Sequence, residues 1–123
     1  MSLNAALPRE EHRDVLGRAV LPDRRARRTP VDARSAAEYD TGHIPGAINV
    51  PIDRLSDYLN ELTSMIDVDA EVVCYCNGPS CDFSDQLATE LKFLGYTRVM
   101  VFTGGWEHWE AAGYEIESTG AIR

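Results

Sequence analysis

Apolar positions along the 123 residues switch between two spacings, and the switch marks the elements. Leu55, Tyr58, Leu59, Leu62 and Ile66 recur at intervals of three and four, which predicts an amphipathic helix with one face on a sheet. Residues 71–75 form an apolar, β-branched run without alternation, the pattern of a strand buried on both faces of a parallel sheet. Residues 98–102 repeat it. Between them, Leu87, Ala88, Leu91 and Leu94 lie on a helix that Ser84 begins and Gly95 closes. After Gly104-Gly105, Trp106 and Trp109 share one face of a last helix, read as a core face, with Gly113 as its stop. Upstream, Ser35-Ala36-Ala37-Glu38 is a capping box for a short helix that Gly42 ends, and residues 47–50 are a strand stopped by Pro51. Residues 29–33 are a shorter strand. Residues 8–20 read as a first helix, with Pro8 at its first position and Glu10 and Glu11 in its first turn. Strands alternating with helices predict an α/β fold with a mostly parallel sheet.

Length and a hydrophobic content of 44% fit one domain around one core. We divide the chain into an N-terminal helix and arginine-rich linker (1–28), the domain proper (29–117) and a tail (118–123). No stretch approaches the roughly 20 apolar residues that span a bilayer, and no long apolar run marks a signal peptide. The expected compartment is therefore the cytoplasm, with no membrane partner. The net charge of −8 divides into +3 over residues 1–34 and −11 over residues 35–123. So acidic a body repels phosphate backbones, and nucleic acid is not an expected partner. The run Arg24-Arg25-Ala26-Arg27-Arg28 reads as a solvated linker rather than an anion patch.

Cys74, Cys76 and Cys81 are too few and too close for a disulfide-stapled secreted domain, so they read as intracellular thiols. Zinc is the competing use of such a cluster. It is set aside on the reading that Cys74 and Cys76 point to opposite faces of their strand, and neither metal nor other cofactor is expected. Cys76 stands at the carboxyl end of a predicted parallel strand, where ligands and catalytic groups of open α/β sheets collect. The loop Asn77-Gly78-Pro79-Ser80-Cys81-Asp82-Phe83 then leads to Ser84 and a helix N-terminus, which favours an anion. A thiolate there is expected to have a lowered pKa. Cys74 reads as core, and Cys81 as either a resolving thiol or an incidental one.

Over roughly residues 29–117 the sequence resembles the rhodanese homology domain. The matching pieces are Val31-Asp32-Ala33-Arg34-Ser35 with Glu38-Tyr39, Gly42-His43-Ile44-Pro45-Gly46-Ala47-Ile48-Asn49-Val50-Pro51, and Val73-Cys74-Tyr75-Cys76. Leu91-Lys92-Phe93-Leu94-Gly95-Tyr96 and Gly104-Gly105-Trp106 with Trp109, Ala112 and Gly113 follow in the family's order. The resemblance implies an α/β/α sandwich and a sulfurtransferase whose cysteine, here Cys76, carries sulfane sulfur as a persulfide. It also implies an active-site loop from Asn77 to Ser84, a small sulfane donor, and a thiol or protein acceptor. By the same resemblance Asp32 and Arg34 support the loop, unless they form a surface ion pair. His43 is read as a turn-stabilising group, and His108 as solvated.

The loop departs from the family pattern. Seven residues separate Cys76 from Ser84, and none is basic. Related phosphatases end a longer loop with an Arg, yet the sixth residue after Cys76 is Asp82, which disfavours oxyanion substrates and makes thiosulfate a doubtful donor. The alternative is a non-catalytic rhodanese-like module that binds a partner or senses redox state through Cys76 and Cys81.

Overall fold

The computed structural model describes residues 12–13 and 28–119, and the structural statements below concern these. In chain order the elements are β1 (His12–Arg13), β2 (Arg28–Asp32), α1 (Ala36–Thr41), β3 (Ile48–Asn49), a 3-10 turn (Ile52–Arg54) and α2 (Leu55–Met65). They continue with β4 (Glu71–Tyr75), α3 (Phe83–Phe93), β5 (Arg98–Phe102) and α4 (Gly105–Ala111). The sheet order is β1-β5-β4-β2-β3. Strands β5, β4, β2 and β3 run parallel, and β1 joins the edge antiparallel.

β4 lies at the centre and is buried at all five positions, so its unalternating apolar run has a direct cause: both of its faces are covered. On one face Val72 and Cys74 join Leu62 and Ile66, from the α2 region, and Leu87 and Leu91 of α3. On the other, Val73 and Tyr75 meet Ile44, Phe102 and Trp109. This is the α/β/α sandwich expected from the sequence. Strand period two puts Cys74 and Cys76 on the same face, and both belong to one apolar cluster. The expectation of opposite faces was wrong.

The capping box of α1 forms as read: the Ser35 hydroxyl accepts from the Glu38 amide at 3.2 Å while the Glu38 carboxylate accepts from the Ser35 amide at 3.3 Å. Gly42 ends the helix, but with φ −179° it is extended rather than left-handed. Its small size serves packing, since a Cβ there would lie 3.1 Å from Cζ2 of Trp106. Gly95 is a left-handed stop, at φ 103°, with its amide bonded to the Lys92 carbonyl.

Two expectations near the N-terminus fail. His12 and Arg13 lie in a strand, not in a helix, paired with Phe102 and Val101 across the flank of β5 that would otherwise be an open edge. The rest of the proposed 8–20 helix, and residues 21–27 of the linker, lie outside the described residues. Arg28 is not solvated: it opens β2 and is buried, with Nε 3.0 Å from Oε1 of Glu71, its register partner on β4. Among the described residues no helix is long and apolar enough to cross a membrane.

Candidate active site

The carboxyl end of β4 is held by the start of α4. The Trp106 amide donates to the Cys76 carbonyl and the Glu107 amide to the Asn77 carbonyl, both at 2.8 Å. Amides in the first turn of a helix have no partner within it, so these two are available to bind another segment. The approach requires glycine at position 105, where φ is +63° and a Cβ would lie 2.5 Å from the Cys76 oxygen. Sequence reasoning used Gly104-Gly105 only as a lead into the helix and assigned neither this clamp nor the roles of Trp106 and Glu107. The signal was available as a paired glycine at a helix start, but its partner lies about thirty residues away in sequence.

Past the clamp, a turn closed by the Cys81 amide on the Gly78 carbonyl, at 3.0 Å, folds the loop back. Gly78 is buried against the Glu107 carboxylate, and the Asn77 side chain reaches Glu38 at 3.4 Å. Pro79, Ser80, Asp82 and Phe83 are exposed. Asp82 occupies the cap position of α3, yet its side chain makes no capping hydrogen bond. Cys76 is nearly closed off, 2% exposed. Its thiol donates to the Cys81 carbonyl at 3.3 Å, and its Sγ lies 3.4 Å from the Ser84 hydroxyl.

Burial pushes the Cys76 thiol up to about 11, and the hydrogen bond with Cys81 adds to the rise, while the Ser84 hydroxyl and amide oppose it. This reverses the expectation of a lowered pKa. The helix start is present, but loss of water around the sulfur outweighs it. Burial likewise raises the Cys74 thiol, which is inaccessible within the strand.

Asp32 and Arg34 form a buried pair rather than a surface one, with Nη2 of Arg34 2.8 Å from Oδ2 of Asp32 and 2.6 Å from the Gly42 carbonyl. The Arg34 guanidinium lies 4.6 Å from the Trp106 ring centre. Burial disfavours its charge, but the Asp32 hydrogen bond and carboxylate more than offset this and raise its pKa. The pair thus meets the ring of Trp106, whose amide donates to the Cys76 carbonyl. Arg34, Glu38, Asn77, Trp106 and Glu110 line a cleft of about 290 Å³ that Cys76 does not enter. Trp106 is accordingly half-exposed, whereas Trp109 is core. His108 is half-buried, edge-on to Phe102 with ring centres 5.7 Å apart, and not simply solvated.

His43 is also buried. Its ring stacks on Tyr39 with centroids 3.7 Å apart, and its Nδ1 lies 2.7 Å from the Tyr39 carbonyl oxygen. Backbone bonds with Glu117 anchor the same turn. The structure therefore gathers Cys76, Cys81 and Ser84 around the sulfur and leaves His43 on the other side of the sheet.

A cysteine at the carboxyl end of the central strand of a parallel sheet, wrapped by a loop into a helix start, defines a rhodanese-like site. The chain belongs to the rhodanese-like domain family, whose model matches residues 19–112. Over 106 residues it is 38% identical to the HTH-type transcriptional regulator Rv0324 of Mycobacterium tuberculosis, covering 85% of this chain and 45% of that protein. Over 96 residues it is 26% identical to the mitochondrial thiosulfate/3-mercaptopyruvate sulfurtransferase 1 of Arabidopsis thaliana, covering 67% of this chain and 25% of the enzyme. The chain spans less than half the length of these two relatives. A crystal structure of the Rhodanese_3-like domain of the Anabaena protein Alr3790 superposes with a TM-score of 0.65 at 27% identity, covering 77% of this chain and 96% of that one. Thiosulfate sulfurtransferase from Pseudomonas aeruginosa gives 0.61 at 32% identity, over 80% of this chain and 19% of the enzyme.

The raised pKa has a measurable consequence, because only the thiolate reacts with an alkylating agent. With neutral iodoacetamide, the labelling rate of Cys76, resolved by peptide fragmentation, is expected to climb about tenfold per pH unit from pH 7 and level off only near 11. The fold favours the neutral thiol, so its contribution to stability is present below pH about 9 and is lost as pH rises through about 11. A labelling midpoint at or below pH 8 would contradict this reading of the site.

Proposed function

We propose that the chain is a sulfurtransferase that carries sulfane sulfur as a persulfide on Cys76 and passes it to a thiol or other nucleophilic acceptor. The observation that carries this reading is the placement of the Cys76 sulfur at the end of β4, against the hydroxyl and amide of Ser84 at the start of α3. The Cys76 thiolate attacks the outer sulfur of a donor, a new sulfur–sulfur bond forms, and the donor leaves with the electron pair of the broken bond. An acceptor then attacks the outer sulfur and releases the Cys76 thiolate. Because the resting sulfur is covered, the incoming atom displaces the Cys81 carbonyl, and the exposed segment Pro79–Ser80 is the part of the loop free to give way. The expected partners are therefore a small sulfane donor and a thiol or protein acceptor, met in the cytoplasm.

A second reading, a rhodanese-like module that binds a partner or senses redox state without turnover, draws on the covered sulfur and on the absence of any basic residue from Asn77 to Ser84. The relative named as a transcriptional regulator favours it too.

Brief exposure to a sulfane donor, quenched within seconds by alkylation, separates the two. The Cys76 peptide is expected to carry one additional sulfur, and Cys76→Ser none, with the fold retained although a hydroxyl at this buried position lowers its melting temperature. Absence of sulfur in the wild type without release of sulfide, or loading of Cys74 or Cys81 in the variant, would sink the primary reading.

Donor choice follows from the loop's charge. Asp82 is exposed and its carboxylate is not engaged in capping α3, so it meets an approaching anion. At an effective dielectric of about 20, two unit charges about 6 Å apart repel by roughly 3 kcal/mol before salt screening. A fraction of that slows a reaction tenfold. Thiosulfate turnover should thus be weak, and Asp82→Asn should raise kcat/KM for thiosulfate about tenfold at low ionic strength and less at high. Equal thiosulfate kinetics in both proteins would show that this carboxylate does not govern the donor.

A further inference from the structure

Two thiols, not one, face the covered side of the loop. Cys81 is half-buried, and its side chain packs against the apolar cluster that contains Cys76. The Cys76 thiol donates to the carbonyl of Cys81 itself, at 3.3 Å, and interaction with the Cys81 side chain contributes to the raised pKa of Cys76. A carbonyl oxygen lies about 2.4 Å from its own Cα, so the Cys76 sulfur is within about 6 Å of the Cys81 Cα. Disulfides join Cα atoms roughly 4.4–6.8 Å apart, and the turn from Gly78 to Cys81 folds the chain back toward Cys76, so closing the bond needs a movement of this loop only. Cys74 shares the face but is fully enclosed in β4, with no loop on which to move.

We propose that Cys81 is the resolving thiol of this site and that its product is hydrosulfide. The inference rests on the persulfide reading above. Once Cys76 carries an outer sulfur, Cys81 gives its proton to solvent and its thiolate attacks the Sγ of Cys76. A bond forms between the two cysteine sulfurs, the bond from Sγ to the outer sulfur breaks, and hydrosulfide leaves with the electron pair. The sulfane sulfur is reduced, and the two cysteines are oxidised to a disulfide. Two molecules of a low-molecular-weight thiol then reduce that disulfide and leave as their own disulfide, which resets the site. Attack falls on the inner sulfur because the Cys81 backbone abuts Sγ and its side chain packs on the same cluster, and because hydrosulfide, the conjugate base of a stronger acid than an alkyl thiol, is the better leaving group. Cys81 thereby makes a mobile thiol the terminal reductant and sulfide the released product, so no external nucleophile has to reach the covered sulfur of Cys76.

The test is a single turnover of the full chain with excess thiosulfate at high ionic strength, free of oxygen and of added thiols, followed by intact mass and sulfide assay. The wild type is expected to release one equivalent of sulfide and to end two hydrogens lighter, with Cys76 joined to Cys81. Cys81→Ser, an exchange in a loop, is expected to retain the additional sulfur and to release at least tenfold less sulfide. If the wild type instead keeps its sulfur as the variant does, Cys81 is not a resolving thiol, while the persulfide reading stands. If neither chain gains sulfur, the persulfide reading falls and takes this inference with it.

Discussion

Two backbone hydrogen bonds, from the amides of Trp106 and Glu107 to the carbonyls of Cys76 and Asn77, decide where the chain goes when it leaves the sheet. A strand end has no such guidance of its own: beyond Tyr75 the ladder stops, and a seven-residue loop could leave in many directions. The first turn of α4 supplies donors that a helix cannot use internally, and Gly105 lets the two backbones meet at a distance no side chain would permit. The position of the sulfur, the turn at Gly78 and the entry into α3 all follow from that junction. Arg34, paired with the buried Asp32, lies against the Trp106 ring on the α1 and α4 side of the sheet.

The electrostatics divide along the sheet in the same way. On the α1 and α4 side, Arg34, Glu38 and Glu110 line the cleft, and Asp32 pairs with Arg34. The sulfur side is apolar, with Cys76 among Val31, Leu87 and their neighbours. A thiol in such surroundings rests protonated, and burial here competes with the helix start and prevails. The covered sulfur and the exposed Pro79 and Ser80 are thus features of one loop, and no basic residue lies between Asn77 and Ser84.

The features that the sequence made legible are those whose cause is local or periodic. The capping box at Ser35–Glu38 needs only four residues, the stripe from Leu55 to Ile66 needs only one helix, and the unbroken run of β4 reports burial on both faces. What it hid depends on distant partners. Arg28 looks solvated until Glu71, forty-three residues on, takes it into the sheet, and His12 and Arg13 look helical until β5 offers an open edge. Gly42 looks like a left-handed stop but is small because Trp106 and Ile116 crowd it. The pKa of Cys76 was misjudged for the same reason: the helix dipole can be read along the chain, whereas loss of water around the sulfur is a property of the assembled fold.

The junction between α4 and the Cys76 loop is tested most directly by amide hydrogen exchange. Amides in the first turn of a helix ordinarily exchange fast, since nothing in the helix protects them. Here the Trp106 and Glu107 amides are expected to exchange as slowly as those of β4, well behind the exposed first-turn amides of α1. Exchange of Trp106 and Glu107 at the rate of an open helix start would show that the last helix does not hold the loop, and the placement of the sulfur would need another cause.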